Sequence, residues 1–498
     1  MWTVGRGVSW QIVVSVVIVG LTWPGVRICA KEVGGVTAPL HRGTAFIEND
    51  WKSSVELAKD GAYRLSWKPT EERIVFLVEV RTNGYVGLGF SLDGRMVKAD
   101  IAVGWVHDKT KRPYLLDCHG GNDNSIPIRD AEQNLDLVNG YQNGTHTVLM
   151  FSRLWDTCDR EEDLIIGNDT IRVIWSYNDH DDPLDETLFN IHWHGHQQRG
   201  SKSLNLRNPI IKRYDSQNKY LDFRMPNISV PRNMGTVYWC KVFKIPRLSV
   251  KHHIVGYNPL LDDRDSDLIH HMMLYECHGK ATFKMDQYAS EKGFLCYTSQ
   301  MPLETESCIT PTVSWAIGSI GEYYPPHVGL PIGNNPKQDT YYMLEIHYDN
   351  PTMREIIDSS GVRLHYTDKL RKHDGGIFVT GTIVSPLHII PPFQTAYRTA
   401  GYCDKYCTGA VLPSAGVNSV SVVLHSHSAA SKMKLRHFRQ GEELAPIVQD
   451  DHYDFNYQQS RTLPREITIF PRDELATECT YNTMNRSQPT QAALQNVA

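Results

Sequence analysis

The run YYMLEIHYDNP, residues 341–351, contains the pattern that sets the fold of this chain. Side chains alternate along an extended run, so Glu345 and His347 share one face of a strand. Leu344 and Ile346 lie on the opposite, apolar face. Other runs rich in β-branched and aromatic residues and separated by turn residues are typical of short strands: IVFLVEV (74–80), IRVIWSY (171–177) and VNSVSVVLH (417–425). Helical periodicity is scarce, so the sequence predicts an all-β fold built of sandwiches.

Length and composition narrow the class of protein. A chain of 498 residues is too long for one core, and two to four domains are expected. Its 41% hydrophobic and 21% charged residues are ordinary for a globular protein. A formal charge of -5 gives no reason to expect a nucleic acid or an anionic membrane as a partner.

The N-terminus indicates a secretory route. Arg6 precedes the apolar run WQIVVSVVIVGL (10–21), and Ala30 lies at a cleavage point, which predicts a signal peptide over residues 1–30. The run is too short for a membrane span. Four N-x-S/T sequons fit this route: Asn143, Asn168, Asn227 and Asn485. We therefore expect a lumenal or secreted glycoprotein, in which disulfides form. Removal of Cys29 from the ten cysteines leaves nine, and an odd number indicates a missing or intermolecular partner.

Among the 22 histidines, one adjacent pair suggests a metal site. His270 and His271 lie in the strand-like run DLIHHMMLYECHG (267–279). Neighbours on a strand face opposite ways, so both reach one ion only if the backbone bulges or one ring swings. His347, from a distant strand, supplies a third ligand. Imidazole suits copper and zinc alike, so ligand type alone leaves the metal open.

A second candidate pair lies in VVLHSHS (422–428). A strand over 420–428 places His425 and His427 on one face, where two imidazoles can converge on a single ion. The alternative is a pair of solvated or internally hydrogen-bonded histidines.

Two other histidine clusters are interpreted as non-catalytic. His192, His194 and His196 alternate in a polar, loop-like segment, which predicts a solvated cluster or an adventitious metal binder. For His252 and His253 a structural or hydrogen-bonding role is expected.

Three motifs, HHMMLYEC, YYMLEIHYDNP and LHSHSAASKMKLRHFRQG, resemble in their order and spacing the copper type II, ascorbate-dependent monooxygenases, in the dopamine β-hydroxylase-like branch. The segment YVGLGFSLDGRMVKADIAVGWV (85–106) is similar to the DOMON domain that precedes the catalytic core in this branch. The resemblance implies an N-terminal DOMON β-sandwich followed by two β-sandwich, jelly-roll-like copper domains. Combined with the polar stretches NDHDDPLDET and DNPTMREIIDSSG, it leads us to expect these bounds: a DOMON domain over 45–180, a linker over 181–230, a first copper domain over 231–358 and a second over 359–498.

The resemblance also implies roles for individual residues. It implies three ligands for the copper that accepts electrons from ascorbate: His270, His271 and His347. It implies two ligands, His425 and His427, for the copper at which dioxygen is bound and the substrate C–H bond is cleaved. Tyr238 and His425 match the family's active-site tyrosine and histidine. The implied disulfides are Cys240–Cys296 and Cys277–Cys308, and the partners of Cys158, Cys403, Cys407 and Cys479 are expected largely in a further C-terminal region.

The function implied is a copper-dependent, ascorbate-driven monooxygenase that uses dioxygen to hydroxylate a C–H bond of a small amine or aromatic substrate. After CTYNT the family continues to a Glu-Met-Cys motif whose methionine is the third ligand of the second copper, whereas this chain continues MNRSQPTQAALQNVA. We therefore expect a truncated or alternatively spliced product. The alternative function is that of a catalytically impaired secretory copper-binding or interaction protein. The sequence leaves the oligomeric state open.

Overall fold

The computed structural model describes residues 51, 53–58, 60–180, 191–208, 218–262, 266–278, 284–333, 338–382, 385–426 and 428–492. The expected signal peptide, Cys29 and the metal-ligand candidate His427 lie outside the described residues. The chain divides into two compact units, which we call the N-terminal unit (described up to Asn208) and the C-terminal unit (described from Asn218). No helix in the described part is both long and apolar enough to span a bilayer.

The N-terminal unit is a sandwich of two antiparallel sheets. Its strands are β1 (Ser53–Glu56), β2 (Tyr63–Pro69), β3 (Arg73–Val80), β4 (Val86–Ser91), β5 (Asp100–Val106), β6 (Pro113–His119), β7 (Ile128–Arg129), β8 (Asp136–Gln142), β9 (Thr147–Leu154), β10 (Ile171–Tyr177) and β11 (Arg199–Leu204). One sheet has the order β1-β2-β3-β9-β8 and the other the order β11-β10-β4-β5-β6-β7.

The core of this sandwich is built from alternate side chains of its strands. In β3 every second side chain, including Ile74, Phe76 and Val78, is buried. The ring of Phe76 lies 5.4 Å from that of Phe151 in its own sheet and 5.4 Å from that of Phe90 in the facing sheet. Aromatic packing between the two inner faces therefore holds the sheets together.

The C-terminal unit begins with a second sandwich, which we call the middle domain. Its strands are β12 (Lys219–Arg224), β13 (Ile228–Val230), β14 (Thr236–Lys244), β15 (His252–Leu260), β16 (Ile269–Cys277), β17 (Phe294–Leu295), β18 (Cys308–Ala316), β19 (Glu322–Tyr323), β20 (Val328–Ile332), β21 (Tyr341–Asp349), β22 (Ile356–Asp358), β23 (Gly361–Thr367) and β24 (His373–Asp374). One sheet has the order β12-β23-β15-β20-β24 with β19 beside β15, a second has the order β17-β14-β21-β16-β18, and β13 pairs with β22. Helix α1 (Met285–Ser290) and two 3₁₀ turns, Ser266–Leu268 and Leu303–Ser307, complete the domain.

The remainder of the unit forms what we call the last domain. Its elements are β25 (Ser385–Ile390), β26 (Tyr397–Cys403), α2 (Lys405–Val411), β27 (Val417–Val422), β28 (Ala430–Arg439), β29 (Glu442–Glu443), β30 (Val448–Asp450), β31 (Arg461–Ile469), β32 (Glu474–Tyr481) and β33 (Thr490–Ala492). The main sheet has the order β26-β32-β28-β29 with β30 beside β28, and β25-β33 and β27-β31 form separate pairs. Helix α2 begins at Asp404, whose carboxylate accepts from the backbone N–H groups of Tyr406 and Cys407.

The all-β prediction is confirmed, but two domain bounds need correction. The expected linker 181–230 contains β11, which extends a sheet of the N-terminal unit, and β12, which pairs along its whole length with β23. Strands β23 and β24 were expected in the second copper domain and belong instead to the middle domain, which therefore extends to Asp374. β11 and β12 are edge strands, and backbone pairing with distant segments holds them in place. The polar composition of the linker does not reveal this pairing.

The cysteines divide into bonded and reduced groups. Both implied disulfides are present: Cys240–Cys296 and Cys277–Cys308. The first joins β14 to the residue that follows β17, and the second joins β16 to β18. Cross-links of this kind typically stabilise a domain by about 2–4 kcal/mol. Cys403, Cys407 and Cys479 are thiols. Cys158 is disulfide-bonded, so the expectation that its partner lies in a further C-terminal region is wrong.

The middle and last domains meet at the turn after β18. Gly318 has φ +84°, and a Cβ there would lie 2.4 Å from the carbonyl oxygen of Asn456. Only glycine permits this close approach of two backbones. Beside it, the side chain of Gln459 accepts from the N–H of Ile320 (2.8 Å) and donates to the carbonyl of Gly321 (2.9 Å). The segment 455–460 of the last domain is thereby fixed against the middle domain.

Candidate metal centre

The three histidines selected from the sequence meet on neighbouring strands of one sheet. In the pairing of β16 with β21, His271 lies opposite His347. The register shifts between Ile269 and His271, which is the bulge that the sequence required for the adjacent pair. On its other side, β21 pairs with β14, where Tyr238 lies opposite His347.

The three rings direct their Nδ1 atoms at a common point. The Nδ1 atom of His270 lies 3.1 Å from that of His271 and 3.2 Å from that of His347. One ligand atom from each of the three lies within 4.8 Å of the others. Two of the rings, those of His270 and His347, are almost completely buried.

This arrangement fits a bound transition-metal ion. Histidine nitrogens bind such an ion at about 2.0–2.1 Å, so two neighbouring ligand nitrogens lie roughly 3 Å apart. The nitrogens of His270 and its two neighbours have this separation. Without a cation, these contacts are N–H···N hydrogen bonds whose direction depends on the tautomers, whereas a bound ion would use a lone pair of each of the three nitrogens. The donor set is all nitrogen, which suits copper and zinc.

Groups around the three rings fix their orientation. The hydroxyl of Thr236 lies 2.7 Å from Nε2 of His347, on the side of the ring away from the shared point. The Glu345 carboxylate lies 3.6 Å from Nε2 of His271 and accepts from the Tyr297 hydroxyl (2.5 Å). Such partners hold a ligating imidazole in one tautomer and one orientation.

Tyr238 packs on the centre and does not enter it. Its ring stacks on that of His347 with centroids 4.1 Å apart and planes 4° from parallel. Burial raises the pKa of the Tyr238 phenol, and the nearby carboxylates of Glu345 and Asp349 raise it further. The phenol therefore stays protonated at neutral pH.

The strand expected over 420–428 ends earlier than predicted. β27 ends at Val422, and its pairing with β31 already shifts between Ser419 and Ser421. Beyond it, the hydroxyl of Tyr453 accepts from the N–H of Ser426 (2.9 Å) and donates to the same residue's carbonyl (3.0 Å). The buried Tyr453 side chain thus makes hydrogen bonds that a neighbouring strand would otherwise make. The segment that carries His425 is held in this way without a partner strand.

His425 faces the first three histidines across the boundary between the two domains. Its ring is exposed and lies 5.8 Å from the ring of His271. Its Nδ1 atom is 2.6 Å from Oε1 of Gln458. The amide nitrogen of Gln458 donates to the carbonyl of Phe455, so Oε1 is the acceptor and His425 carries its proton on Nδ1. In this tautomer Nε2 presents a lone pair to a metal ion.

The same segment also contacts the first site. The ring of Phe455 stacks on His270 with centroids 4.5 Å apart. The N–H of Gln458 donates to the carbonyl of Ile317, whose own N–H donates to the carbonyl of His270. Sequence reasoning missed both Phe455 and Gln458 as site residues, because DFNYQQS has no periodic pattern and its contacts are distant in sequence.

A cavity of about 650 Å³ lies beside both histidine groups and is lined by residues of both domains, including His271 and His425. Its volume is typical of a site for a small molecule. Aromatic side chains supply much of its wall: Tyr238, Tyr257, Tyr275, Tyr297, Trp315 and Tyr324. Two carboxylates, those of Glu322 and Glu345, also reach it.

The other histidine clusters have different surroundings. His253 accepts from the backbone N–H of Arg371 (2.9 Å) and pairs through Nε2 with Asp374 (2.8 Å), which is a structural hydrogen-bonding role. His192, His194 and His196 lie in an irregular segment and a turn, and within the described residues they do not form a group of converging ligand atoms.

Comparison with known proteins agrees with this geometry. Family models match residues 59–178 (DOMON domain), 221–355 (copper type II ascorbate-dependent monooxygenase, N-terminal domain) and 373–496 (the C-terminal domain of the same family). The chain belongs to the copper type II ascorbate-dependent monooxygenases.

Several relatives are similar over most of their length. The chain is 40% identical to MOXD1 homolog 1 of Drosophila melanogaster, covering 91% of this chain and 69% of that protein. It is 40% identical to DBH-like monooxygenase protein 1 of Homo sapiens, covering 88% and 70%. It is 32% identical to human dopamine beta-hydroxylase, covering 90% and 71%.

The surroundings of the 192–196 cluster generate a test. Replacing His192, His194 and His196 together with alanine should leave tightly bound copper unchanged, because the three lie in an irregular segment and a turn and, within the described residues, their ligand atoms do not converge. Copper per chain after dialysis against a weak chelator is the measurement. Loss of one equivalent would show that the cluster is a metal site.

Proposed function

We propose that this chain is an ascorbate-driven copper monooxygenase that hydroxylates a C–H bond of a small amine or aromatic substrate. The observation that carries the proposal is the convergence of three Nδ1 atoms on one point, with His425 facing them across a cavity. In the proposal, His270, His271 and His347 hold one copper, and His425 holds a second together with His427, which lies outside the described residues. Bound copper would supply one-electron transfer from ascorbate and the activation of dioxygen.

The protein's own groups then orient these ligands. Thr236 and Glu345 fix two of the rings of the first site from behind, and Gln458 fixes the tautomer of His425. Tyr238 is proposed as a positioning residue, since its stacked, protonated ring supports His347 and is poorly suited to accept a proton.

The cavity supports an amine or aromatic substrate. Its aromatic walls offer surfaces for stacking, which favours planar rings. The Glu322 carboxylate, which lines the cavity from the middle domain, accepts from the hydroxyls of Ser421 (2.5 Å) and Ser460 (2.7 Å), both of the last domain. A carboxylate held in this way is suited to pair with an ammonium group.

Secretion and glycosylation remain part of the proposal. All four sequon asparagines, Asn143, Asn168, Asn227 and Asn485, are exposed, as attachment of a glycan requires. The two disulfides of the middle domain fit an oxidising compartment. Proposed partners are the substrate, dioxygen and ascorbate.

Replacing His347 with alanine tests the first site. We expect loss of one copper equivalent per chain, because two remaining nitrogens in a buried space bind the ion much more weakly. Ascorbate-dependent hydroxylation of phenylethylamine-type substrates should be lost with it. The matched control is His278→Ala, an exposed histidine just beyond the same β16, which should keep full copper loading.

Three outcomes of this experiment are informative. Full copper loading in the His347→Ala protein would contradict the assigned site. Copper lost from the variant, with hydroxylated product formed by the unaltered chain, would support the proposal. Copper bound by the unaltered chain without hydroxylated product would favour the alternative, a copper-binding or interaction protein.

Gln458 gives a separate test of the second site. Gln458→Leu removes the acceptor for His425 Nδ1, whereas Gln458→Glu keeps an acceptor at the same position. We expect copper affinity at this site to fall about 10–100-fold in the leucine variant and to change far less in the glutamate variant. The measurement is a copper titration against a competing chelator in the His347→Ala background. Equal affinities in both variants would refute a positioning role for Gln458.

A further inference from the structure

The cavity beside the histidines continues into the interior of the last domain. Strand β32 lines it with Leu475, Thr477 and Cys479, alternate side chains that share one face of the main sheet. On the neighbouring β28, Met433 lies opposite Cys479 and Leu435 lies opposite Thr477, and both also line the cavity. The inner face of the main sheet is therefore one wall of this space.

The lining of this inner part is largely hydrocarbon. Residues outside the main sheet add further aliphatic side chains to it: Ile390, Val420, Val422 and Leu424. We call the part of the cavity that is lined by these four residues and by Met433, Leu435 and Leu475 the aliphatic arm.

The aliphatic arm lies between two separate groups of buried side chains. One cluster of apolar residues in the last domain contains Leu435 and Leu475, and another contains Leu424 and Met433. Members of both clusters line the cavity, which therefore takes the place of a single continuous core in this domain. Apolar space of this kind favours an apolar ligand, because burial removes hydrocarbon from water.

The volume of the cavity exceeds what a single-ring amine needs. An apolar cavity of about 150 Å³ suffices to hold benzene, whereas the cavity here has a volume of about 650 Å³. A phenylethylamine-type molecule would therefore contact only part of the wall. A longer molecule is needed to contact the middle domain and the aliphatic arm together.

The part of the cavity in the middle domain has the features of an ammonium site. The hydroxyls of Ser421 and Ser460 both donate to Oε1 of Glu322. Burial raises the pKa of this carboxyl and the two hydroxyls lower it, and no cationic side chain among the described residues contributes to the shift. An ammonium group bound beside Glu322 would supply the missing positive charge and favour the ionised carboxylate.

Two aromatic rings lie close to the same carboxylate. Burial raises the pKa of the Tyr257 and Tyr324 phenols, and the Glu322 carboxylate raises both further, so the three groups are neighbours. The faces of aromatic rings attract organic cations. A carboxylate beside two phenol rings therefore suits the charged end of an amine, whereas the aliphatic arm suits a hydrocarbon chain.

We propose that the substrate is an amine with a long, unbranched hydrocarbon chain, whose ammonium group pairs with Glu322 while the chain lies in the aliphatic arm. This inference rests on the proposed function, because it assigns a substrate class to the same site. His271 and His425 line the same cavity, so the histidine groups and the aliphatic arm border one continuous space.

Binding of a homologous series of alkylamines to the copper-loaded full chain tests the proposal. From butylamine to octylamine, each added methylene should lower the dissociation constant about fourfold, measured by calorimetry. Octylamine should bind about 10-fold more tightly than octanol, because only the amine pairs with Glu322. Glu322→Gln should abolish this preference for the amine and keep the dependence on chain length.

A variant that narrows the aliphatic arm shows whether the chain binds there. Thr477→Phe places a larger side chain beside Leu435, so the affinity for octylamine should fall about 10-fold or more, while that for butylamine should change little. Retained butylamine binding shows that the variant is folded. The matched control is Thr462→Phe at an exposed position of β31, which should bind octylamine as the unaltered chain does. Unchanged octylamine binding by the Thr477→Phe chain would overturn the proposal.

The outcomes for the unaltered chain separate this inference from the proposed function. Affinity that does not rise with chain length would overturn the long-chain substrate, even if phenylethylamine is hydroxylated, and equal affinity for octylamine and octanol would overturn the ammonium site. Length-dependent binding of amines without ascorbate-dependent hydroxylated product would support the alkylamine site and contradict the proposed function.

Discussion

The approach of the His270 Nδ1 atom to within 3.2 Å of the Nδ1 atoms of both His271 and His347 is the constraint on which the rest of the site depends. It is achieved by a backbone irregularity, the bulge before His271 in the pairing of β16 with β21. The centre lies on β16 and β21, with β14 and β18 on either side, so neither strand is at a sheet edge. Disulfides and a buried apolar face keep those strands in place, which makes the geometry a property of the sheet and not of a loop.

The second part of the site depends on a different device. His425 lies in the segment that follows the end of β27. Gln458 positions its ring, and Tyr453 holds the backbone of the neighbouring Ser426. The segment 455–460 also reaches the middle domain, through Phe455 on His270 and through Gln459 at the turn after β18. Any change that loosens this segment therefore affects both histidine groups, because the same few residues support them.

Local patterns in the sequence were sufficient for much of the fold and for the first histidine group. Short runs rich in β-branched and aromatic residues, such as 74–80 and 341–348, predict strands, and the adjacent His270–His271 pair predicts the bulge as a condition for shared ligation. The resemblance to the copper monooxygenase family supplied the pairing of Cys240 with Cys296 and of Cys277 with Cys308. The sequence did not predict edge strands β11 and β12, because their residues are polar and their stability comes from backbone pairing with distant strands. Gln458 was missed because its role depends on contacts with residues far away in the sequence, which no local period records.

The central claim is that three histidine nitrogens of the middle domain form one copper site. X-ray absorption by the His425→Ala chain loaded with one equivalent of copper tests it most directly, since copper is then confined to the first site. The account predicts three imidazole nitrogens at about 2 Å and no sulfur in the first shell. A sulfur ligand, or fewer than three imidazoles, would contradict it.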